Sequence, residues 1–519
     1  MSKTRKKPHT TLEKDINLIV ENTDDQQPSK PDLGLIKTRK DRIVASLGKN
    51  AELVTVVVQA YNRIEKTRIC VNSILKYTKN VEYELILVDN GSTDETLDFF
   101  KSVEHPRKKI VHVTKNVGSV VPVMKYVDGR YVAYICNDTY VTQNWIENLL
   151  TCLRSDDAIG MVVPATSNAS NQQGVDLNFR SLDELYEQAA KYNHSDPRLW
   201  HERLRLVVQM AVYKREALDV AGTLLDYGFY HDFSDDDVTF RIRRAGYRTF
   251  LCLDTFVCHD HLRTGLSESE VENFNRSIKS GSLDFQSKYF GIDAWEDVNN
   301  YERILISMVD PNKHKSSDTL RILGIDVLCG TPILELKNKL RENFIYNVDL
   351  SAFTSDPKYW LDLKTICSGE VAADRIEFFD EHFIGNLFDY VLVEKPIEQY
   401  SDPLRLIRSI FQKLKPGGVL LLKLSNPLDY MKLFKKIGVD KTEPAEADLI
   451  LSELTIDALL GLVSQAGFTK PSIVIENWRL NDAQKTEIRN ILINNNLSTD
   501  VDNTMQALII REFKLKVFK

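Results

Sequence analysis

The chain has 519 residues, too many for a single hydrophobic core, so we expect two or three domains. Its hydrophobic content of 43% and charged content of 27% are those of an ordinary globular protein, and its net charge of -7 argues against nucleic-acid binding by bulk electrostatics. No apolar run reaches the length of a transmembrane helix, and the N-terminus lacks the apolar region of a secretory signal. The seven cysteines are scattered and show no CxxC spacing, which indicates reduced thiols in a cytoplasmic protein.

Residues 1–50 are polar and include the stretch DDQQPSKPD, which predicts a flexible N-terminal tail. The basic residues of this tail could touch a partner or the surface of an anionic membrane, as a peripheral contact. A solvated tail is the simpler interpretation.

From Ala51 onward, strand patterns alternate with helical patterns. The runs ELVTVVVQAYN, YELILVDNGSTDET, KKIVHVTKN and GRYVAYICNDT predict strands, and EKTRICVNSILKYT and QNWIENLLTCLRS predict helices. This α/β alternation is typical of a parallel sheet with helices on its faces, in which ligands bind at the carboxyl ends of the strands. The polar residues at those ends are Tyr61, Asn62, Asp89, Asn90, Asn137 and Asp138.

Three adjacent aspartates, Asp235, Asp236 and Asp237, precede a basic amphipathic segment. Neighbouring carboxylates raise one another's pKa, so such a cluster suits a solvated turn, a cation site or a site where a carboxylate acts as a base. The alternative is that all three only favour the positive end of the following helix.

The C-terminal half repeats the α/β pattern. Residues 266–318 are polar and mostly helical in pattern, which predicts a closing helix and a linker. A second alternation of strands and helices begins at TLRILGIDVLCGT. We therefore predict a first domain at 51–265 and a second domain at 319–519.

The motifs of residues 53–264 resemble those of the family 2 glycosyltransferases, which have the GT-A fold. The resemblance rests on VVVQAYNR, LVDNGSTDET, KNVGSVVPVMKYVDGRYVAYICNDT, FSDDDVTFRIRRAGYR and FVCHDH, which occur in the family's order. It implies a mixed-sheet domain that binds a nucleotide sugar and an inverting glycosyl transfer that depends on Mn²⁺ or Mg²⁺.

The resemblance implies a metal site at Asp138, with His259 as the better candidate for a further ligand and His261 as the second. A leaving diphosphate needs its charge neutralised, and these cations prefer oxygen ligands. Cys136 stands where the first acid of a DxD motif is expected, so the motif is incomplete. Asp138 could instead cap the following helix, and either histidine could be a packing residue.

The same resemblance implies that Asp235 is the catalytic base, with Asp237 on the second acid of the motif and Asp236 in reserve. The base takes a proton from the acceptor hydroxyl while that oxygen attacks the anomeric carbon. Tyr227, Phe229 and Tyr230 could form a sugar platform on the acceptor side. The implied residues of the nucleotide-sugar site are Ala60, Tyr61, Asp89, Asn116, Asn137 and Asp138.

Two of these assignments are more detailed. The resemblance places Asp89 against the nucleotide base, where its carboxylate could accept from a uracil N–H. Asn116 could equally be a turn residue.

Residues 319–427 resemble the class I S-adenosylmethionine-dependent methyltransferases, which have a Rossmann-like fold. LKPGGVLLL and Asp349, taken to follow the second strand, match well. The first motif departs from the family, because Leu328 and Pro332 stand where two glycines would let the backbone approach the cofactor. We therefore favour a methyltransferase-like fold with lost or altered activity, which could bind the acceptor or a partner protein.

The sequence thus predicts an inverting, metal-dependent glycosyltransferase that moves a hexose or N-acetylhexosamine from a nucleotide sugar, most commonly UDP-linked, to a hydroxyl of a glycan or protein. One alternative is a bifunctional glycosyltransferase and methyltransferase that uses S-adenosylmethionine, with Glu398 as a site residue. Another is a non-catalytic binding scaffold of two degenerate enzyme folds. Cys136 and Pro332 favour the scaffold, whereas the set of Asp138, Asp235 and His259 disfavours it.

Overall fold

A computed structural model of the protein describes residues 10–13, 17–21, 52–118, 123–222, 232–260, 267–431, 454–494 and 497–519. The chain divides into two compact units, residues 1–299 and 300–519. Each unit is α/β and has its own sheet, as the sequence predicts. Among the described helices, none combines the length and the apolar character needed to cross a bilayer.

The described strands of the first unit form one mixed sheet in the order β1-β2-β5-β4-β3-β6-β10-β8-β11-β7, with β9 paired to β11. The strands are β1 Thr10–Glu13, β2 Leu18–Glu21, β3 Val54–Ala60, β4 Tyr83–Asp89, β5 Lys108–Val113, β6 Tyr131–Cys136, β7 Thr139–Tyr140, β8 Ile159–Thr166, β9 Trp200–Glu202, β10 Met210–Lys214 and β11 Arg248–His259. The helices are α1 Ile64–Tyr77, α2 Thr96–Ser102, α3 Trp145–Arg154, α4 Leu182–Tyr192, α5 Arg215–Ala221, α6 Ser234–Arg244 and α7 Glu268–Lys288.

The centre of this sheet is parallel and buried on both faces. β3 pairs in parallel with β4 and β6, which places Val57 between Ile86 and Tyr134. A β-branched run suits this position because every side chain meets a helix layer or the core. β10 runs antiparallel to β6, so the sheet is mixed, as the fold class predicts.

The prediction of a flexible tail at residues 1–50 is wrong for two short segments, which form strands. β1 and β2 form the edge of the first sheet, where Leu18 pairs in parallel with Ile110 of β5. The carboxylate of Glu21 is buried and lies 2.5 Å from the Nζ of Lys125. The run LIVE supplies enough apolar surface to join the sheet, although the surrounding sequence is polar.

The second unit contains a seven-stranded sheet in its described residues, in the order β14-β13-β12-β15-β16-β18-β17. The strands are β12 Leu320–Ile325, β13 Val348–Thr354, β14 Val371–Ala373, β15 Phe388–Val393, β16 Leu414–Ser425, β17 Thr469–Asn477 and β18 Ile510–Phe518. The helices are α8 Arg303–Ser307, α9 Thr331–Glu342, α10 Trp360–Ile366, α11 Pro403–Lys413, α12 Ile456–Gln465, α13 Asp482–Asn494 and α14 Val501–Leu508. Among these strands only β18 runs antiparallel to both of its neighbours, which gives the Rossmann-like, methyltransferase-type fold that the sequence predicts.

One residue of the methyltransferase comparison lies at the wrong end of its strand. Asp349 is the second residue of β13 and pairs with Arg321 near the start of β12. The prediction that this acid follows the second strand is therefore wrong, because β13 continues to Thr354. Ligands of open α/β sheets bind at the opposite, carboxyl end.

Candidate active site

The loop after β3 is held by side-chain hydrogen bonds and leaves Tyr61 exposed. Ala60 ends the strand and is buried, whereas Tyr61 is 46% exposed. Asn62 has a positive φ of 55° and accepts a hydrogen bond of 2.8 Å from the amide of Thr93. The Nδ2 of Asn137 donates to the carbonyl oxygen of Asn62 at 2.9 Å. Asn137 therefore fixes this loop, and Tyr61 is the side chain that the loop presents to solvent.

The carboxylate of Asp89 is completely buried at the end of β4. Its Oδ1 accepts from the amide of Ser92 at 3.0 Å, and its Oδ2 lies 2.6 Å from the Nδ1 of His112 on β5. Sequence reasoning missed His112, although its place near the end of a strand next to β4 was a usable signal. The contact of Asp89 with a nucleotide base stays a prediction.

Asn116 takes part in a tight turn beside this strand end. Its Oδ1 accepts from the Nδ2 of Asn90 at 3.2 Å and from the amide of Gly118 at 2.8 Å. Gly91 has a φ of 75°, and a Cβ there would lie 2.7 Å from the amide nitrogen of Asn116. The described contacts of Asn116 are those of a turn residue.

The structure brings Asp138 and His259 together. The two-stranded pairing of β7 with the end of β11 places His259 opposite Thr139. The Oδ1 of Asp138 then lies 3.6 Å from the Nε2 of His259, with the two side chains 10% and 11% exposed. The Oδ2 of Asp138 lies 3.5 Å from a guanidinium nitrogen of Arg63.

A carboxylate oxygen and an imidazole nitrogen face each other here, and Mn²⁺ accepts both as ligands. Mg²⁺ accepts the carboxylate oxygen more readily than the imidazole nitrogen. Within the described ranges, no group of three His, Cys, Asp or Glu side chains could hold a metal ion. His261 lies outside the described residues. Asp138 and His259 thus fit a cation that takes its other ligands from substrate or water.

Cys136 connects this pair to the aspartate triplet. It ends β6, and the charges of Asp138 and Asp235 both act on its thiol. Burial, followed by the charges of Asp138 and Asp235, raises the pKa of the Cys136 thiol. The thiol is therefore neutral, and the carboxylates of Asp138 and Asp235 share its surroundings.

The three adjacent aspartates at the start of α6 face three different environments. Asp237 is completely buried, and its carboxylate accepts from Arg241 at 2.9 Å, from Lys288 at 2.6 Å and from the hydroxyl of Tyr289 at 2.6 Å. These partners neutralise Asp237 and tie α6 to the end of α7. This geometry is that of a structural group, so the structure does not support a chemical role for Asp237.

Asp236 is buried against Arg205, whose Nε donates to its Oδ1. The indole of Trp295 lies close enough to this carboxylate to help stabilise its ionised form. Burial and the charge of Asp235 raise the pKa of Asp236 to about 7, although Arg205 acts in the opposite direction. Asp236 is thus a group that titrates near neutral pH and is held on two sides.

Asp235 is the partly exposed member of the triplet. Its Oδ1 accepts from the amide of Asp236 at 3.0 Å. Burial raises its pKa, against the charge of Arg205 and the backbone amides that donate to it. A carboxylate with a raised pKa, access to solvent and a position beside the end of β6 has the properties of a general base.

The partners of the triplet were missed at the sequence level. Arg205, Lys288, Tyr289 and Trp295 are distant from the triplet along the chain, in segments without a recognisable motif. The Trp in the polar stretch GIDAWEDVNN was the one available signal. Tyr227, Phe229 and Tyr230, expected as a sugar platform, lie outside the described residues.

Comparison with known proteins connects this geometry to a family. Residues 55–221 match the family model of Glycosyl transferase family 2. This region includes Tyr61, Asp89 and Asp138 and ends before the aspartate triplet.

Three curated relatives match parts of the chain. Chondroitin synthase of Escherichia coli is 26% identical over 138 residues, which cover 26% of this chain and 20% of that protein. Glycosyltransferase GlyG of Streptococcus pneumoniae is 35% identical over 120 residues, covering 21% and 37%. WfaP of Escherichia coli, named UDP-Glc:alpha-D-GlcNAc-diphosphoundecaprenol beta-1,3-glucosyltransferase, is 30% identical over 111 residues, covering 20% and 43%. The chain therefore spans less than half the length of each of these relatives.

Two solved structures show a distant likeness to parts of the chain. Mannosyltransferase PcManGT from Pyrobaculum calidifontis, in complex with GDP-Man and Mn²⁺, is 16% identical, with 60% of this chain and 81% of that chain covered and a TM-score of 0.33. The plantazolicin methyltransferase BpumL in complex with SAH is 12% identical, with 47% and 90% covered and a TM-score of 0.28. At such TM-scores neither likeness decides anything about this chain. The match to the family model concerns residues 55–221 and not the chain as a whole.

Proposed function

We propose that the first unit is an inverting, metal-dependent glycosyltransferase that moves a hexose or N-acetylhexosamine from a UDP-sugar to a hydroxyl of a glycan or protein acceptor. The observation that carries the proposal is that Asp138 faces His259 at 3.6 Å, and that the charges of Asp138 and Asp235 both act on the thiol of Cys136 at the end of β6. Asp138 lies within the residues that match the family model, and the candidate base Asp235 follows them in the same unit. The name of the relative WfaP, a UDP-Glc-dependent enzyme, supports UDP as the nucleotide.

In this mechanism Asp235 accepts the proton of the acceptor hydroxyl. The acceptor oxygen forms a bond to the anomeric carbon from the face opposite the diphosphate, and the bond from that carbon to the diphosphate oxygen breaks. A cation held by Asp138 and His259 would act as a Lewis acid toward the leaving diphosphate. The half-exposed guanidinium of Arg63, 3.5 Å from Asp138, adds a positive charge on the same side.

The test uses the purified full chain, a set of nucleotide sugars and Mn²⁺. We expect one UDP-sugar to raise the unfolding temperature, because a ligand that binds only the folded state stabilises it. Asp138→Ala should lose the Mn²⁺-dependent part of this shift. Asp235→Asn should keep the shift and lose transfer. Asp157→Asn, at an exposed acid of the same unit, is the matched control for both.

If no nucleotide sugar stabilises the wild-type chain, the proposal fails and the binding scaffold becomes the better explanation. If Asp235→Asn transfers sugar at the wild-type rate, the base is assigned wrongly.

For the second unit we propose a methyltransferase-type fold that does not bind S-adenosylmethionine. The turn between β12 and α9 is filled by the unit's own side chains: a Cβ at Gly330 would collide with Ile366. Both oxygens of Asp326 in this turn are engaged, Oδ1 by the amide of Ser355 at 2.6 Å and Oδ2 by the hydroxyl of Tyr400 at 2.9 Å. The backbone surface that a methyl donor must approach is thus already packed.

A buried charge cluster lies at the carboxyl ends of the next strands. Lys423 contacts Glu394 at 2.9 Å and Glu302 at 2.6 Å, and Glu302 contacts Lys514 at 2.7 Å. Although burial opposes it, the two lysines hold the pKa of Glu302 below its ordinary value. The carboxylate of Glu398 accepts from the amide of Ser425 at 3.3 Å. Internal partners thus occupy the polar groups that could otherwise meet a cofactor.

Calorimetric titration of the full chain with S-adenosylmethionine and with S-adenosylhomocysteine tests this second proposal. We expect no heat of binding and no thermal stabilisation at ligand concentrations of about 1 mM. A Kd below about 100 μM, which is about -5.5 kcal/mol of binding free energy, would overturn it and favour the bifunctional alternative.

A further inference from the structure

Trp295 is a fixed and exposed aromatic ring beside the aspartate triplet. It is 36% exposed, whereas Trp145 and Trp200 of the same unit are buried. A tryptophan that stays exposed at a polar site suggests a role in binding. Burying its ring would contribute more to folding stability than burying almost any other side chain.

The ring is held on three sides. Phe233 stacks on it, with ring centroids 5.0 Å apart and an interplanar angle of 17°. The guanidinium carbon of Arg205 lies 5.5 Å from its centroid, and the indole lies near the carboxylate of Asp236. The amide of Trp295 donates to the Oδ1 of Asp293 at 2.8 Å, which fixes the backbone. Trp295 therefore needs little further ordering when a ligand binds.

The ring belongs to the same cluster as a carboxylate that is partly exposed. Phe233, which stacks on the indole, is separated from Asp235 by one residue, and Asp235 adjoins Asp236, whose carboxylate lies near the indole. An apolar plate bordered by carboxylates matches a pyranose ring, which has an apolar C–H face and a rim of hydroxyl groups. A serine or threonine side chain of a protein acceptor has no such face.

We propose that Trp295 binds the acceptor, so that the apolar face of an acceptor pyranose stacks on the exposed indole and presents a hydroxyl to Asp235. The acceptor is then a glycan or glycoside, not an unmodified protein hydroxyl. This inference rests on the function proposed above for the first unit.

The experiment measures UDP release and sugar transfer by the full chain with a UDP-sugar, Mn²⁺ and two kinds of acceptor probe. The probes are methyl glycosides of glucose, galactose and N-acetylglucosamine, and the N-acetyl amides of serine and threonine. In the wild type, glycosides should increase UDP release above hydrolysis, and the amino-acid amides should not.

Trp295→Ala should raise the KM for the glycoside at least tenfold and lower transfer by at least tenfold more than it lowers donor hydrolysis. Trp295→Phe, which keeps a ring and loses the indole N–H, should restore most of the KM and leave a changed pH profile. Trp360→Ala removes a tryptophan of the second unit that is 37% exposed, and it should change neither activity.

An unchanged glycoside KM in Trp295→Ala would overturn the proposal, and so would transfer to the amides in place of the glycosides. If the wild type neither hydrolyses nor transfers any UDP-sugar, the proposed function of the first unit is wrong, and the role of Trp295 must be judged separately. In that case glycoside-induced quenching of tryptophan fluorescence, present in the wild type and absent in Trp295→Phe, still supports the binding site. No quenching would reject it.

Discussion

The position of Arg205 leads to a prediction about stability and pH. Its guanidinium is buried against the carboxylate of Asp236, which lies next to that of Asp235. Arg205→Gln removes the positive charge and leaves two neighbouring carboxylates in a largely desolvated place. Removing one partner of a buried ion pair costs about 3–5 kcal/mol when the remaining charge cannot escape.

In Arg205→Gln the remaining carboxylate can become neutral by taking up a proton. Burial and the charge of Asp235 raise the pKa of Asp236 to about 7 in the wild type, so this group is about half protonated at neutral pH. If the substitution raises this pKa by about 2 units, the ionised form becomes less stable by about 2.7 kcal/mol. Protonation then recovers about 2.3 kcal/mol at pH 7 and almost nothing at pH 10.

The sign follows from the two states of the chain. The pKa of the carboxyl is higher in the folded than in the unfolded state, so the folded state binds the proton more tightly. Its stability contribution is greatest at low pH and is lost as the pH rises from the unfolded pKa through the folded pKa. The destabilisation of Arg205→Gln should therefore be below about 1 kcal/mol near pH 6 and grow to about 2–3 kcal/mol near pH 9.

Urea unfolding of the wild type and of Arg205→Gln at these two pH values measures the difference. Arg198→Gln is the control, because Arg198 pairs with Asp196 at a more exposed site where an ion pair contributes at most about 1 kcal/mol. The acid limb of the transfer rate should also move to higher pH by about 1–2 units, since it reports the coupled acids. An equal loss of stability at both pH values would refute the electrostatic argument and leave only a packing role.

Three further predictions concern other contacts. Asp237→Asn should destabilise the first unit by about 3 kcal/mol in urea unfolding, whereas Asp235→Asn should cost less than about 1 kcal/mol and abolish transfer. Gly281→Ala should lower the free energy of unfolding by about 1–3 kcal/mol, because the new Cβ would lie 2.8 Å from a ring carbon of Phe233. Gly461→Ala is its control, since nothing lies within 4 Å of that helical position, and it should stabilise by about 0.5–1 kcal/mol. Lys423→Met should destabilise the second unit by about 3–5 kcal/mol, and acid should reduce the loss as the buried glutamates take protons; unchanged unfolding would contradict the charge cluster.

The sequence predicts the frame of the first sheet because that information is local. Val54–Ala60 and Tyr83–Asp89 are apolar runs bounded by polar turns, and a strand buried on both faces needs nothing more. The resemblance to the family 2 glycosyltransferases implied that Asp138 and His259 lie together, and no local pattern of the sequence did so. The end of β13 was not predicted, because no turn residue separates Asp349 from the strand residues after it.

The role of the segment that begins at Ser267 could not be predicted for a different reason. Its helix α7 is polar, and no local pattern shows which partner a polar helix packs against. The structure places the amine of Lys288 and the hydroxyl of Tyr289 on Asp237, far earlier in the chain. The segment expected to contain a closing helix and a linker thus belongs to the first unit as far as Asn299, and the charge of Lys288 completes a cluster that looks repulsive in the sequence.

This arrangement explains how three adjacent carboxylates can have different surroundings. Successive residues of a helix point about 100° apart, so the triplet cannot share one environment once α6 has formed. Asp237 contacts Lys288 and Arg241, Asp236 contacts Arg205, and Asp235 is partly exposed. Each of the first two has a cation in contact, so the unit holds a third carboxylate nearby with less repulsion than three free charges would cause. Burial raises the pKa of Asp235, and under the proposed function the same cations that stabilise the fold leave Asp235 as the aspartate that accepts the proton.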